Sequence, residues 1–404
     1  MGGRARLRPT GLRRGRGPVG LRAAIAGAVA VGVVVPARAA AAPGTVTLEA
    51  SPAVVTFGGT VALAGTIDPP SAGQVVRVLD GAGAVLGTAT TDATGAFALE
   101  LAPAAGVSVH AEWAGAASPP VAIGVRPRVS AALGAPRLFA PVQVVGEVEP
   151  AHPGTSVAVE LRRAGRVVAL RRATLDEGGA LRVAFRVSLP GRYRAVVRFP
   201  GDDDHLPARG ATAARSTPLP SLAVGAEGPA VRALERRLVE LRYHLPGVDG
   251  RFGVPTADAV MAFTKVQGMR RRGTVDAAVW RALAAPRRPR PRIDDPGRHV
   301  EVDQTRQVLL LVEDGEVTAI LHVSTGAGGA TRDGAFRVYR KLAGYSPGRL
   351  YYPSYFDGLR AIHGWPEVPP YPASHGCVRV PMWSATWVYG RVPAGTRIVI
   401  YHSP

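Results

Sequence analysis

The sequence predicts a multidomain, mostly β chain: two all-β sandwiches, a small three-helix domain, and a further mostly β domain at the C-terminus. Three observations predict it. The chain has 404 residues, too many for one ordinary domain. Its 47% hydrophobic and 20% charged residues exclude a disordered protein. Gly 49 and Pro 36, with 6% aromatics, fit many turns and short strands better than a helical bundle.

The formal net charge is +19, but residues 1–40 hold eight arginines and no acid; without them 41 basic residues face 30 acidic ones. A modestly basic chain suits an anionic polymer such as a cell wall, though charge alone does not select that partner. Only Lys265 and Lys341 are lysines, so the arginine excess reads as a composition bias and not as a nucleic-acid signal. A single cysteine excludes intramolecular disulfides and a zinc finger.

Residues 1–41 read as a signal peptide. Arginines from Arg4 to Arg22 precede an unbroken apolar run, Ala23 to Val35, and Ala37-Arg38-Ala39 supplies small residues for cleavage. The run is short for a membrane span, which needs ~20 residues. An uncleaved anchor and an early start codon are the alternatives. Arg13-Arg14 is a weak sign of twin-arginine export, so the export route stays open.

Residues 44–125 and 126–216 alternate apolar and polar residues in short runs broken by turns, as in Val75-Val76-Arg77-Val78-Leu79 before Asp80-Gly81. Gly65, Pro69 and Gly73 match Gly146, Pro150 and Gly154 at an offset of 81, as do Val76 and Val78 with Val157 and Val159. A duplicated domain of roughly eighty residues explains this, and both copies resemble bacterial immunoglobulin-like domains. The run Asp202-Asp203-Asp204-His205 reads as a solvated loop, with calcium binding as the alternative.

Residues 217–285 change period. Val231, Leu234, Leu238 and Leu241 share a helical face. Asp249-Gly250 breaks that helix, Thr256 is expected to cap a second, and Asp276 a third carrying Trp280 and Leu283. Gly228, Asp249-Gly250-Arg251-Phe252-Gly253, Phe263, Gln267 and Val275-Asp276 complete a resemblance to the three-helix peptidoglycan-binding domain. The resemblance implies wall binding; a helical spacer is the alternative. Residues 286–297, Pro286-Arg287-Arg288-Pro289-Arg290-Pro291-Arg292 among them, read as an extended, solvated linker.

Strands return in 298–404: Val300 to Asp303, Val308 to Val312, a hairpin turn at Asp314-Gly315, Val317 to Val323, Ala335 to Tyr339 and Arg397 to Tyr401. The lone Cys377 lies in Ser374-His375-Gly376-Cys377-Val378-Arg379, downstream of His363-Gly364. A free thiol has a pKa near ~8.5 and needs a neighbouring base or dipole to react at neutral pH. His363 and His375 are both near in sequence. Gly376 permits close backbone approach, and N–H groups at 375–377 are candidates to hold an oxyanion. On spacing alone, a buried core cysteine with two incidental histidines remains equally open.

Ser374-His375-Gly376-Cys377 with upstream His363-Gly364 resembles the L,D-transpeptidase family with the YkuD-type catalytic domain. The resemblance runs over 298–402 and includes Val323-Ser324-Thr325-Gly326 and Gly334-Ala335-Phe336-Arg337-Val338. Ten residues separate His363 from Ser374, fewer than in the commoner form of the family, and Pro370-Tyr371-Pro372-Ala373 resembles its shorter variant. Arg379 stands where many members have Asn. The resemblance implies Cys377 as nucleophile, His363 as general base and later acid, and the Gly364 carbonyl as the group orienting the imidazole. Ser374, His375 and Gly376 would support the site. Arg379 is a candidate for a substrate carboxylate, with a surface or structural arginine as the equally open alternative. Tyr351, Tyr352 and Tyr355 are candidates for a lid over the substrate, with aromatic core packing as the alternative.

The implied donor is a peptidoglycan stem tetrapeptide. D-Alanine would leave, a thioester would remain, and an amine of a second stem would resolve it as a 3→3 cross-link. An L,D-carboxypeptidase using water, or a wall-binding spacer protein, are the other readings. The resemblance also implies covalent inhibition by carbapenems. No metal-ligand spacing or phosphate loop is visible, so neither a metal nor any other cofactor is expected, and no nucleic acid.

Overall fold

The structure, a computed structural model, describes residues 44–404. The signal peptide expected over 1–41 lies outside the described residues. Among the described residues, no helix is long and apolar enough to cross a membrane.

Period-2 patterning builds the first sandwich. Val61–Asp68 buries Val61, Leu63 and Ile67 and exposes the residues between them, apart from half-buried Gly65. It pairs with Thr45–Val46, Glu49–Ser51 and Ala96–Leu101 in one sheet. Val54–Thr56, Val121–Arg126, Val107–Trp113, Val75–Asp80 and Val85–Thr90 make the other in that order, and Ala116–Ala117 joins Val107–Trp113. The second sandwich stacks Arg128–Leu133, Pro141–Glu149 and Ala180–Arg186 on a sheet of Arg166–Thr174, Ser156–Arg163, Arg192–Phe199 and Ala208–Ala211. The positions repeating at 81 do the same work in both. A Cβ on Gly65 would lie 2.0 Å from Thr47 O, and one on Gly146 2.7 Å from Ser130 O. Gly73 and Gly154 take φ of 73° and 79°, a region that favours glycine.

The helical domain holds α1 (Pro229–Glu240), α2 (Val254–Val266) and α3 (Ala277–Ala284). Val231, Leu234 and Leu238 are fully buried on the expected face of α1. Asp276 caps α3 by accepting from Val279 N–H at 3.0 Å. Thr256 does not cap α2. Gly253 stands at the cap, and Pro255 occupies the first turn, where a missing N–H is harmless. Thr256 instead donates its hydroxyl to buried Glu235 at 3.0 Å, and the same carboxylate takes Gly250 N–H at 2.8 Å. Glu235 therefore ties the 249–253 turn to α1.

The C-terminal domain has two sheets. One orders Glu316–His322, Val308–Glu313, His299–Asp303, Arg397–Tyr401 and Gly334–Arg337. The other orders Arg340–Lys341, Tyr351–Asp357, Arg360–Trp365 and Val378–Pro381, with α4 (Met382–Arg391) packed on it. The expected hairpin turn is present, with φ of 52° at Asp314 and 73° at Gly315.

The segments between domains are docked. Residues 286–297 do not float free, because buried Glu301 accepts N–H groups of Arg292 at 2.7 Å and Ile293 at 3.1 Å. A buried carboxylate needs such donors, and the linker supplies them. The helical domain extends the edge of the five-stranded sheet: His244 N–H donates to Ile320 O at 3.0 Å, and Ile320 N–H to Arg242 O at 2.8 Å. One apolar core runs through the second sandwich, the helical domain and Val308, Leu310, Val312 and Ile320 of the C-terminal domain.

Candidate active site

Two parallel strands position the chemistry. Arg360–Trp365 and Val378–Pro381 pair in register, with Ile362 beside Val378, His363 beside Arg379, and Gly364 beside Val380. Ile362, Val378 and Val380 enter the core. Alternation therefore sends His363, Cys377 and Arg379 to the opposite face. There they line one cavity of about 520 Å³ together with Ser374, His375 and Tyr355.

His363 is 2% exposed, and its Nδ1 lies 2.9 Å from the Gly364 carbonyl. A carbonyl only accepts, so Nδ1 carries the hydrogen and the lone pair is left on Nε2. Burial pushes the His363 pKa down to about 4; the Arg379 charge lowers it too, and the Gly364 carbonyl opposes both. Burial also pushes the Cys377 thiol up, against the Ala361 N–H and the charges of Arg379 and Arg360.

Gly364 has to be glycine, because a Cβ there would sit 2.6 Å from the Ala385 Cβ of α4. Ser374 shapes the cysteine loop: its hydroxyl donates to Cys377 O at 2.6 Å and accepts Gly376 N–H at 3.0 Å. That bond takes the Gly376 N–H away from an oxyanion. Gly376 has φ 130°, and a Cβ would meet Arg360 Nε at 2.7 Å and Ala330 O at 2.9 Å. Thr331 fastens the loop from behind, donating to Gly376 O at 2.9 Å and accepting Gly326 N–H at 2.7 Å.

The other expected residues divide. His375 is exposed beside the cavity. Arg379 lies over the Trp365 ring, 4.9 Å from its centroid. Tyr355 is buried in the cavity wall under the Arg340 guanidinium, 4.2 Å from its ring centroid. Tyr352 is not brought to the cavity: it packs edge-on against Tyr351 and Tyr389, at 4.8 and 5.1 Å. Tyr351 and Tyr352 belong to an aromatic cluster with Tyr389 of α4, whereas Tyr355 lines the cavity. Ser346, Pro347, Gly348 and Leu359 also line the cavity. Spacing gave no sign of them, of Trp365, or of Arg340. Arg340 was reachable only through its cross-strand pairing with Tyr355.

Matched against protein families, residues 297–400 fit the L,D-transpeptidase catalytic domain, and residues 227–283 the peptidoglycan binding domain. An L,D-transpeptidase (residues 123-326) from Xylanimonas cellulosilytica is 39% identical, covering 46% of this chain and 99% of that one, with a TM-score of 0.43. An L,D-transpeptidase from Stackebrandtia nassauensis is 26% identical over 46% of this chain and 98% of that one, with a TM-score of 0.30. The catalytic domain of the E. faecium L,D-transpeptidase is 23% identical over 27% of this chain and all of that one (100%), with a TM-score of 0.24. No curated protein matches the chain. On the family match over its C-terminal domain and the identity to a relative covered almost end to end, the chain belongs to the L,D-transpeptidase (YkuD) family and carries a peptidoglycan binding domain immediately before the catalytic one.

Proposed function

We propose that the protein is an exported, wall-associated enzyme that forms 3→3 cross-links between peptidoglycan stem peptides through a cysteine acyl-enzyme. One observation carries the reading. Cys377 and His363 line the same cavity, and the Gly364 carbonyl leaves the His363 lone pair on Nε2.

The chemistry balances with these two residues. Cys377 Sγ attacks the carbonyl carbon between the third stem residue and D-alanine, and its proton passes to His363 Nε2. The C–N bond breaks, His363 returns the proton to the departing D-alanine amine, and a thioester remains. The side-chain amine of a second stem attacks the thioester. His363 takes that amine's proton and gives it to the leaving thiolate, restoring the thiol. His375 and Cys377 N–H groups are the loop donors left for the oxyanion, since Gly376 N–H is taken by Ser374. Arg379 supplies a positive charge for a carboxylate of the stem. The basic and apolar segment within residues 1–41 supports export, and the peptidoglycan binding domain supports the wall as partner.

The test incubates the full chain with a purified disaccharide-tetrapeptide and reads the products by mass spectrometry. Loss of D-alanine with cross-linked dimer is expected, and neither is expected from Cys377→Ala. Free tripeptide without dimer would turn the reading to a carboxypeptidase. No product from the folded chain would sink it.

A further inference from the structure

Where the two sandwiches meet, His152, Asp202 and His205 converge from distant points in the sequence. His152 Nε2 lies 3.1 Å from His205 Nδ1 and 3.2 Å from Asp202 Oδ2, and His205 Nδ1 lies 3.3 Å from Asp202 Oδ1. The two imidazoles are only 8% and 9% exposed.

The outer nitrogens decide the tautomers. His152 Nδ1 is 2.6 Å from Pro150 O, and His205 Nε2 is 3.0 Å from Ala104 O. Both must donate to those carbonyls. In the neutral rings the lone pairs then sit on His152 Nε2 and His205 Nδ1, the atoms that face each other. Two buried lone pairs in contact, beside a carboxylate, repel one another. A proton on His152 Nε2 would relieve its contacts with His205 Nδ1 and Asp202 Oδ2 but leave His205 Nδ1 facing the carboxylate; a cation relieves all three. Asp202 Oδ1 is already occupied, accepting N–H from Asp204 at 3.0 Å and His205 at 2.7 Å, which leaves Oδ2 free.

The geometry suits a tetrahedral ion. Metal–donor bonds of about 2.0–2.1 Å place two tetrahedral ligands about 3.3 Å apart, close to the 3.1 and 3.2 Å from His152 Nε2 to His205 Nδ1 and Asp202 Oδ2. A histidine ligand backed by a carbonyl on its other nitrogen is how ligating imidazoles are oriented. Two nitrogens and one carboxylate oxygen favour a borderline ion such as zinc over calcium, which takes six to eight oxygens.

We propose that His152 Nε2, His205 Nδ1 and Asp202 Oδ2 bind one zinc-class divalent cation, with water completing the tetrahedron. The ion stiffens the joint between the sandwiches. The 202–206 loop already crosses it: Gly106 N–H donates to Asp204 O at 2.7 Å, and Leu206 N–H to Val125 O at 2.8 Å.

The test uses the full chain carrying Cys377→Ala, so that the catalytic cysteine offers no competing ligand. The protein is stripped with chelator, titrated with zinc, and assayed for bound metal by mass spectrometry. Cobalt(II) is then substituted as a spectroscopic probe. One equivalent of zinc, a raised Tm, and tetrahedral cobalt bands without sulfur charge transfer are expected. Asp202→Asn preserves the shape of the loop and should weaken binding. His152→Gln with His205→Gln should abolish both binding and the Tm shift, with far-UV circular dichroism confirming the fold. Absence of stoichiometric zinc binding at neutral pH, or binding undiminished in the double variant, overturns the site.

Discussion

Burial disfavours the charged form of both Cys377 and His363. Burial holds His363 near a pKa of about 4 and pushes the Cys377 thiol up, so the resting pair is thiol and imidazole. In the proposed acyl transfer the proton would move as the sulfur–carbon bond forms, and the base would have to be unprotonated to take it. The acid limb of kcat/KM should fall near pH 4, not near the ordinary histidine value. A pH–rate profile checks this, and a limb centred near ~6.5 would contradict the buried, neutral base. The full chain exposed to a carbapenem should gain one inhibitor mass, and Cys377→Ala none, by intact mass spectrometry. Gly364→Ala forces a methyl against Ala385, 2.6 Å away. Overpacking of this kind costs about 1–3 kcal/mol. Its denaturation midpoint should drop, and activity with it, because the Gly364 carbonyl orients His363.

At the scale of elements, the helical domain reaches under the active-site loop. Arg271 donates to Pro370 O at 2.8 Å. His322 Nε2 donates to Val368 O at 2.7 Å, which leaves Nδ1 as an acceptor. Lys265 Nζ points at that Nδ1, at Gln307 O (2.9 Å) and at Val323 O (3.0 Å). Three acceptors match the three N–H groups of an ammonium, although burial pulls the Lys265 pKa well down. The next residue, Ser324, exchanges backbone hydrogen bonds with Arg379 and donates its hydroxyl to Tyr371 O at 2.7 Å. Lys265→Met would strip three buried acceptors of their donor, at about 1–3 kcal/mol for each group left unsatisfied. It should lower both the denaturation midpoint and kcat while leaving the thiol titratable. Unchanged kcat would mean that the loop holds its shape without the helical domain.

At the scale of the whole molecule, the domains do not behave as beads on a string. Phe139 of the second sandwich stacks on Trp280 of α3 at 6.2 Å, and His244 stacks on Trp387 of α4 at 3.8 Å. Trp383 donates to Asp258 of α2 at 2.7 Å. An isolated 298–404 fragment would expose Val308, Leu310, Val312 and Ile320. It should be less soluble and melt lower than a 217–404 fragment, as calorimetry of the two would show. Buried histidines also make the assembly acid-sensitive. Burial lowers His363 and His244 to about 4 and His322 to about 3. The unfolded chain binds those protons first, so stability rises with pH across this window. The contribution is complete above ~6.5 and is lost as pH falls through the folded values. Denaturation midpoints should therefore drop between pH 6.5 and 3, and His322→Gln should flatten the low end of that fall.

The sequence by itself determined the order of domains, because period-2 and helical patterns are local. It also marked the candidate site: a lone cysteine within Ser374-His375-Gly376-Cys377 and an upstream His363-Gly364 pair are both local signals, and the fold brings Cys377 and His363 to one cavity. The duplication was legible too, since Gly65 and Gly146 are forced by backbone approaches that recur in each copy. Only the tertiary structure decided who touches whom across domains. Docking of the linker depends on the burial of Glu301, which lies nine residues beyond Arg292. Tyr352 turned from the cavity because α4 placed Tyr389 beside it. His152 and His205, 53 residues apart, show no ligand spacing along the chain; the sandwich folds them to 3.1 Å. Local periodicity fixes elements, whereas convergence of distant side chains follows from packing, which no short window of sequence contains.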